Sequence, residues 1–287
     1  MTQPPDVTAR IARLFVYPVK SCAGVEVREA LLTETGLDLD RAWMVVDAAG
    51  EFVSQRELPR MALVRPQIRL NEVVLRAPGM LALHLAVDTV EEAVRVRVWD
   101  DEVPAFDMGA VAAQWFSDFL GRPLRLVRFD PEHRRLSSMQ WTQGAEALNQ
   151  FSDGYPLLVA GTGSLDLLNA KLAAKGHAPV GIERFRPNIV LEGLEAHDED
   201  RMDLVRIATD EGEVRLRPVK PCPRCPIPNI DPATAQVDPA VTDTLQGYRR
   251  SEVLGGAVAF GMNAIVVDGL ECTLRVGQPA SGNWKFD

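Results

Sequence analysis

Two cysteines separated by two residues, Cys222 and Cys225, form the most reactive pattern in the sequence. Lys220 precedes the pair and Arg224 lies within it. Neighbouring cations favour the thiolate, which is the form that binds metals and attacks disulfides. A single C-x-x-C pair is compatible with a structural zinc site, a redox-active dithiol or one thiolate ligand of a soft metal centre. Two unreactive thiols buried in a loop are the fourth possibility.

The zinc interpretation needs a second pair of ligands, and the redox interpretation needs a helix that begins at the cysteines; the sequence shows neither clearly. A structural zinc site normally takes four ligands in two spaced pairs, and a thioredoxin-like pair begins a helix. Pro226 and Pro228 directly after the second cysteine disfavour such a helix. The sequence by itself leaves the alternatives open. The remaining cysteines and histidines, which show no ligand spacing, are Cys22, Cys272, His84, His133, His177 and His197.

Prolines crowd the segment 217–232, which contains both cysteines. Because proline fixes φ and donates no backbone hydrogen bond, we expect this segment to be neither a helix interior nor a central strand. We predict a stiff loop that follows a strand. Such a loop loses less entropy than a flexible one when it orders around a ligand.

Several cations stand beside Pro, Ser or Cys in turn-like contexts, although the chain as a whole has a net charge of −9. Arginine binds phosphate through two parallel hydrogen bonds and lysine acts as a point charge, so these residues predict an anion pocket built from distant segments. Taken singly, each is more often a solvated surface charge. The cations are Lys20, Arg41, Arg56, Arg186, Lys220 and Arg224.

The composition is that of an ordinary globular protein, with 287 residues, 46% of them hydrophobic and 25% charged. An acidic chain of pI 5.1 is a poor non-specific nucleic-acid binder. Four cysteines are too few for a disulfide framework and indicate a reducing compartment. Without a signal-like N-terminus or an apolar run of about 18 residues, we expect a cytoplasmic protein with no membrane span.

Short β-rich runs outnumber helical patterns and predict a mostly β (α+β) fold with antiparallel pairing and one or two barrels. A weakly marked boundary is expected near residue 125. The segment 130–150 is polar and irregular. The predicted strands cover residues 13–18, 30–33, 43–47, 51–54, 73–76, 81–87, 94–99, 124–129, 155–159, 186–191, 203–208, 213–216, 258–267 and 273–276.

Two helices are predicted, over residues 110–120 and 162–175. The first is expected to bury Val111, Trp115, Phe119 and Leu120 on one face. For the second, we predict a Ser or Thr cap at its start. Its apolar stripe consists of Leu165, Leu168 and Leu172.

Seven short motifs follow one another in a specific order. With them, the chain resembles MOSC-domain proteins that carry the associated N-terminal β-barrel domain, the family of the mitochondrial amidoxime reducing component and its bacterial relatives. The resemblance extends over roughly residues 8 to 280. It implies an N-terminal β-barrel-like domain at 1–125, whose first strand contributes to the cofactor pocket, and a MOSC domain at 126–287. The motifs are YPVKSC (17–22), DRAW (40–43), FSDGYP (151–156), FRPNIV (185–190), CPRC (222–225), GYR (247–249) and LRVGQP (274–279).

The resemblance implies binding of the molybdenum cofactor (Mo-molybdopterin), with Cys225 as the catalytic protein thiolate on the metal. Cys222 is expected to be packed instead. Animal reductases carry small hydroxyl residues where Gly154, Tyr155 and Pro223 stand, so backbone contacts are implied at these positions. The implied cofactor-binding residues are Lys20, Ser21, Arg41, Asp153, Gly154, Tyr155, Arg186, Asn188, Pro223 and Arg224.

The implied activity is an oxidoreductase that removes oxygen from small N-hydroxylated (N-oxygenated) compounds. The chain has no four-cysteine cluster motif, so electrons are expected from a separate protein of the ferredoxin, flavodoxin or cytochrome type. An alternative is a molybdenum-cofactor or sulfur-carrier protein without turnover of its own. Neither nucleic acid nor membrane is an expected partner. The family's association with pyridoxal phosphate is also carried by the resemblance.

Overall fold

The computed structural model describes residues 4–89 and 92–285, and strands dominate them, which confirms the mostly β fold class. The helices are α1 (Gly109–Leu120), α2 (Thr162–Ala174) and α3 (Ala240–Gln246). Short 3-10 helices span Pro59–Leu63, Ile182–Phe185, Asp198–Asp200, Ile227–Asn229 and Glu252–Leu254. The strands are β1 (Val7–Val16), β2 (Val25–Val27), β3 (Glu29–Thr33), β4 (Gly36–Leu37), β5 (Trp43–Val46), β6 (Arg65–Ile68), β7 (Glu72–Arg76), β8 (Leu83–Ala86), β9 (Ala93–Val98), β10 (Asp101–Asp107), β11 (Arg125–Phe129), β12 (Leu157–Gly161), β13 (Ile189–Glu192), β14 (Met202–Ala208), β15 (Glu213–Pro223), β16 (Arg250–Ser251), β17 (Ala257–Asp268), β18 (Thr273–Arg275) and β19 (Pro279–Trp284).

The largest sheet closes into a seven-stranded barrel in the order β12-β13-β1-β19-β14-β15-β17, and β17 pairs back to β12. Every neighbouring pair is antiparallel except β12 and β13, which are parallel and connected through α2. Closure removes the exposed edges that an open sheet would present. The core of this sheet includes Ile11, Leu14, Leu157, Ile189 and Leu216, all at most 1% exposed.

Residues 43–89 and 92–129 build a second region, made of the sheet β5-β11-β10-β9, the sheet β6-β7-β8 and helix α1. Its main core packs Trp43 with Phe116 and Phe119 from α1. The chain's first strand, β1, does not belong to this region, since it lies between β13 and β19 in the barrel. The division at residue 125 stays a prediction. Among the described residues, no helix is long and apolar enough to span a membrane.

The proline-rich stretch is a strand as far as Pro223, so the predicted loop is wrong for residues 217–223. The strand pairs with β14 only over residues 213–216, and beyond them it pairs only with β17. Register shifts interrupt that pairing between Pro218 and Lys220 and between Pro221 and Pro223. A one-sided, bulged strand accommodates proline because fewer backbone donors are needed there. The irregular segment begins only at Arg224.

Helix α1 forms as predicted, but its buried face is rotated from the expected one. Val111 is 75% exposed, whereas Ala112, Trp115, Phe116, Phe119 and Leu120 are buried. Positions 112, 115, 116 and 119 follow the i, i+3, i+4, i+7 pattern of a helix face. Val111 lies at the border of that face and was wrongly included.

The predicted Ser or Thr cap of helix α2 is also wrong, because the capping residue is Gly161 and no side chain of the helix start serves as a cap. Glu199, from the 3-10 helix 198–200, supplies the hydrogen-bond acceptor at the start of helix α2. Its carboxyl group is 1% exposed, receives hydrogen bonds of 2.6 and 2.8 Å from the Ser164 hydroxyl, and bonds the backbone of Gly161. A carboxylate near a helix N-terminus is favourable, and here it comes from a segment distant in sequence.

Closure of the barrel gives a stability prediction at Gly261. This residue has φ +74°, and a Cβ atom there would lie 2.8 Å from the carbonyl oxygen of Val159 on β12. Gly261→Ala should cost roughly 3 kcal/mol, from left-handed strain plus the clash. Gly121→Ala is the matched control, since Gly121 has φ +76° and open space around a Cβ, and it should cost about 1 kcal/mol. Urea unfolding midpoints of the two variants measure the difference. Equal midpoints would contradict the closure described here.

Candidate functional site

A cavity of about 710 Å³ collects residues from segments that are far apart in the sequence. Its volume is within the range of small-molecule and cofactor sites. The structure brings all of the sequence-predicted site residues to its wall: Lys20, Ser21, Arg41, Asp153, Gly154, Tyr155, Arg186, Asn188, Pro223, Arg224 and Cys225. Proximity does not test their roles, which stay predictions.

The wall of the cavity carries an excess of positive charge, although the chain is acidic. Its three carboxylates belong to Asp100, Asp101 and Asp153. Such an excess, partly shielded from water, attracts anions. The seven cations on the wall are Lys20, Arg41, Arg56, Arg135, Arg186, Lys220 and Arg224.

Lys20 is a buried anchor, with only 6% of its surface exposed. Its ammonium group donates 2.5 and 2.7 Å hydrogen bonds to the Asp153 carboxylate and the Phe151 carbonyl. Burial lowers the pKa of Lys20, while the charge of Asp153 acts against this effect. Partial desolvation opposes ionisation of Asp153, but the ammonium group of Lys20 holds its pKa below the usual range. The pair joins the segment after β1 to the segment before β12.

Arg41 links two of the predicted motifs directly. Its guanidinium donates to the Asp40 carboxylate, to Asn188 Oδ1 at 3.2 Å and to the Arg186 carbonyl at 3.1 Å. The guanidinium groups of Arg41 and Arg186 each lie 4.3 Å from the centre of the Tyr17 ring. Cation–π contacts of this kind hold desolvated cations in place.

Two guanidinium groups in the cavity wall have buried nitrogen atoms without a hydrogen-bond partner among the described residues. They are Nη2 of Arg186 and Nε of Arg224. Burial, and then the charge of Arg41, lowers the pKa of Arg186 to about 10. Unpaired buried donors of positive charge are costly, so this wall is built to receive an acceptor-rich, anionic group.

The two cysteines of the C-x-x-C pair both line the cavity and are half-buried, free thiols. Arg224 Nη1 donates a 2.9 Å hydrogen bond to Cys222 Sγ and Nη2 donates a 3.0 Å hydrogen bond to the Phe185 carbonyl. A cation thus holds the sulfur of Cys222, and the expectation that this residue is only packed stays a prediction. The strand β15 carries Cys222 to the cavity wall, because the prolines do not interrupt the strand before Pro223.

The other two cysteines are less suited to bind a ligand, because both are buried. Burial raises the pKa of Cys22 to about 12, so this thiol stays protonated at neutral pH. Among the described residues, no group of three or more His, Cys, Asp or Glu side chains could hold a metal ion. The C-x-x-C pair thus lacks the protein ligands that a structural zinc site takes.

The cavity wall contains strained backbone. Four of the nine non-glycine residues with left-handed conformations in the described part of the chain line it: Ser21 (φ 67°), Arg41 (φ 53°), Trp99 (φ 57°) and Arg186 (φ 59°). Each such residue costs on the order of 1–3 kcal/mol and persists only where its surroundings impose it. The strained backbone aims two of the cationic side chains and fixes Ser21 beside Lys20.

Sequence reasoning missed Arg135, which is 6% exposed and lines the cavity. Its Nη1 donates 2.7 Å hydrogen bonds to Asn149 Oδ1 and to the carbonyls of Gln150 and Ser152. It thereby holds the segment that presents Asp153. The region 130–150 has no periodic pattern, so no local signal distinguishes this buried arginine from the exposed Arg134.

Trp99 was missed for a different reason, because it appeared only as the end of an alternating strand. Its ring Nε1 donates a 3.1 Å hydrogen bond to Asp153, and the guanidinium of Arg56 lies 4.5 Å from its ring centre. Arg95 and Arg97 on the same strand make exposed ion pairs, with side chains 70% and 52% exposed, as a solvated strand face predicts.

Comparisons with known proteins identify the family of the chain. The family model of the MOSC N-terminal beta barrel domain matches residues 8–123, and that of the MOSC domain matches residues 147–281. Mitochondrial amidoxime-reducing component 1 of Homo sapiens is 33% identical over 284 residues, which cover 94% of this chain and 81% of that protein. Component 2 of Rattus norvegicus is 33% identical over 251 residues, covering 83% and 72%.

A further relative is the molybdenum cofactor sulfurase of Bos taurus, which is 30% identical over 284 residues. The match covers 93% of this chain and 32% of that protein. Both domain models and the long alignments with the amidoxime-reducing components point to one assignment. The chain belongs to the MOSC-domain family, with a MOSC N-terminal β-barrel domain followed by a MOSC domain.

Proposed function

We propose that this protein is a molybdenum-cofactor-dependent oxidoreductase that reduces N-hydroxylated compounds. The carrying observation is that the free thiol of Cys225 shares one cavity with Arg186 and Arg224, whose buried nitrogens have no partner among the described residues. A soft thiolate beside a strongly cationic wall fits a metal centre with an anionic organic part. The names of the amidoxime-reducing relatives support the type of substrate.

The residues present fit the molybdenum cofactor, which carries a phosphate and two dithiolene sulfurs. When bound, it supplies two-electron redox chemistry, and the protein binds, orients and tunes it. Cys225 would hold the metal, while Arg186 and Arg224 would direct their free donors at the cofactor's anionic atoms. The remaining proposed contacts are Lys20, Ser21, Arg41, Asp153, Gly154, Tyr155, Asn188 and Pro223.

The proposed reaction cleaves the N–O bond of the substrate. Two electrons and two protons convert an N-hydroxyl compound into the N–H compound and water. The chain contributes a cavity whose volume of about 710 Å³ is within the range of small-molecule and cofactor sites. Its strained, hydrogen-bonded wall keeps the charged groups in position before the ligand binds, which lowers the cost of ordering them.

We propose that the electrons come from a separate protein of the ferredoxin, flavodoxin or cytochrome type. The given sequence has four cysteines, and two of them, Cys22 and Cys272, are buried, whereas an iron–sulfur cluster held by cysteines alone takes four. The cytoplasmic location, the lack of nucleic-acid and membrane partners, and the association with pyridoxal phosphate stay predictions.

A second candidate function is a carrier of the cofactor or of sulfur, without turnover. The similarity to the bovine molybdenum cofactor sulfurase favours it, and so does the free thiol of Cys225. A persulfide on Cys225, detected by mass spectrometry, together with no reduction of a hydroxylamine-type substrate in the presence of an electron donor, would select the carrier function.

The two cysteines should differ sharply when each is replaced. Cys225→Ser in the cofactor-loaded protein should lower the rate of reduction of a hydroxylamine-type substrate at least about 100-fold, since the proposed metal ligand is lost. Cys222→Ser keeps a hydrogen-bond acceptor for Arg224 and should lower the rate less than about tenfold. Steady-state rates per bound molybdenum make the comparison. An unchanged rate in Cys225→Ser would refute the assigned role.

The cationic wall predicts an effect on cofactor retention. Arg186→Gln removes a buried charge with a free donor and should lower the molybdenum retained per chain about tenfold or more, because hydrogen bonds between charged groups contribute about 1.5–3 kcal/mol. Arg95→Gln is the control, since Arg95 is exposed and lies outside the cavity wall. Elemental analysis after gel filtration measures retention. Equal retention in the two variants would exclude Arg186 from the cofactor site.

A further inference from the structure

Four of the cations on the cavity wall, Arg56, Arg186, Lys220 and Arg224, form no ion pair with any carboxylate that the structure describes. Lys20, Arg41 and Arg135, by contrast, each bind an aspartate. Arg186 and Arg224 belong to the proposed cofactor contacts. Arg56 and Lys220 therefore remain as positive charges on the wall that the cofactor assignment does not use.

Lys220 is held by aromatic rings and not by an anion. Its ammonium nitrogen lies 5.0 Å from the centre of the Trp141 ring and 6.0 Å from that of Tyr155. Ring contacts stabilise a cation but leave its three N–H donors available. The residue is half-buried and lines the cavity, two positions before Cys222 on β15.

Arg56 is placed differently. Its Nε donates a 3.2 Å hydrogen bond to Ser54 Oγ, and its guanidinium lies over Trp99, whose own N–H contacts the Asp153 carboxylate. The Nε–H of Arg56 is thus already used. The Asp153 carboxylate is also close to Arg56, since it is bonded to the tryptophan ring on which the guanidinium lies. Lys220 is the more available of the two charges, and it lies on the strand that leads to Cys225.

We propose that Lys220 recognises a negatively charged substituent of the substrate, so that the preferred substrates are N-hydroxylated compounds with a carboxylate. This inference rests on the proposed function. Lys220 supplies the charge that pairs with the carboxylate and so determines specificity.

The test compares benzamidoxime, which is neutral, with para-carboxybenzamidoxime, using reduced methyl viologen as the electron donor to cofactor-loaded protein. Lys220→Gln should raise the KM of the carboxylate compound about tenfold, equal to about 1.4 kcal/mol. The kcat for this compound and the KM of benzamidoxime should change less than about twofold, since only ground-state binding of the carboxylate is lost. Arg217→Gln removes the same charge from the same strand outside the cavity wall and should change neither KM.

Equilibrium binding of para-carboxybenzamidoxime, measured by titration calorimetry on the oxidised loaded protein, separates this inference from the proposed function. If Lys220→Gln weakens binding about tenfold but the wild-type protein reduces neither compound, Lys220 has the proposed role and the reductase function is wrong. If wild-type protein reduces both compounds and Lys220→Gln binds both like wild type, the role of Lys220 is overturned. An equal rise in both KM values would overturn it as well.

Discussion

The hydrogen bonds of Arg41 are the interaction on which the site depends most. One guanidinium group binds Asp40 beside it, the side chain of Asn188 and the carbonyl of Arg186. It thereby connects the turn between β4 and β5 to the entry of β13, although these segments are almost 150 residues apart. Asp40 also accepts the backbone N–H of Tyr17, whose ring lies against Arg41 and Arg186. Arg186 is held in addition by a 2.6 Å hydrogen bond from its Nη1 to the Cys22 carbonyl, so the two neighbouring guanidinium groups are fixed beside each other despite their like charge.

The wall built on this network is cationic, partly buried and strained before any ligand binds. Holding charged groups in such a state costs stability, and the closed barrel with its apolar core offsets that cost. The arrangement saves ordering entropy when an anionic ligand arrives. It also distinguishes the two sulfurs of the C-x-x-C pair. Both are free thiols in the cavity wall, but only the sulfur of Cys222 is seen to accept a hydrogen bond from Arg224 among the described residues.

Much of the fold follows from local patterns, and the failures have identifiable physical causes. Helices 109–120 and 162–174 and most β-rich runs were predicted to within a few residues, because apolar periodicity reports which face is buried. Strands β2, β4, β6, β10, β16 and β19 and helix α3 were not predicted, since they are short or polar and depend on their neighbours. The predicted strand 51–54 is reduced to two isolated bridges, from Phe52 to Val46 and from Glu51 to Arg97.

The residues that line the site were more predictable than the residues that hold them in place. The ordered motifs gathered distant residues such as Lys20, Arg186 and Cys225, and these do share one cavity. Arg135 and Trp99 escaped prediction because their partners, Asn149 and Asp153, are brought to them only by tertiary packing. The proline-rich strand escaped because a rule about central strands does not apply to one that pairs on a single side. Local propensity rules describe the backbone that a residue prefers. Whether a strand forms there, and whether a side chain is buried, depends also on the segments that pack against it.

The central claim is that this cavity holds a molybdenum centre. Elemental analysis of the unmodified protein, purified from a host that makes the molybdenum cofactor, tests it most directly. The account predicts about one molybdenum atom per chain and no stoichiometric zinc, as a cofactor bound through one thiolate requires. Stoichiometric zinc without molybdenum, or neither metal under these conditions, would contradict it.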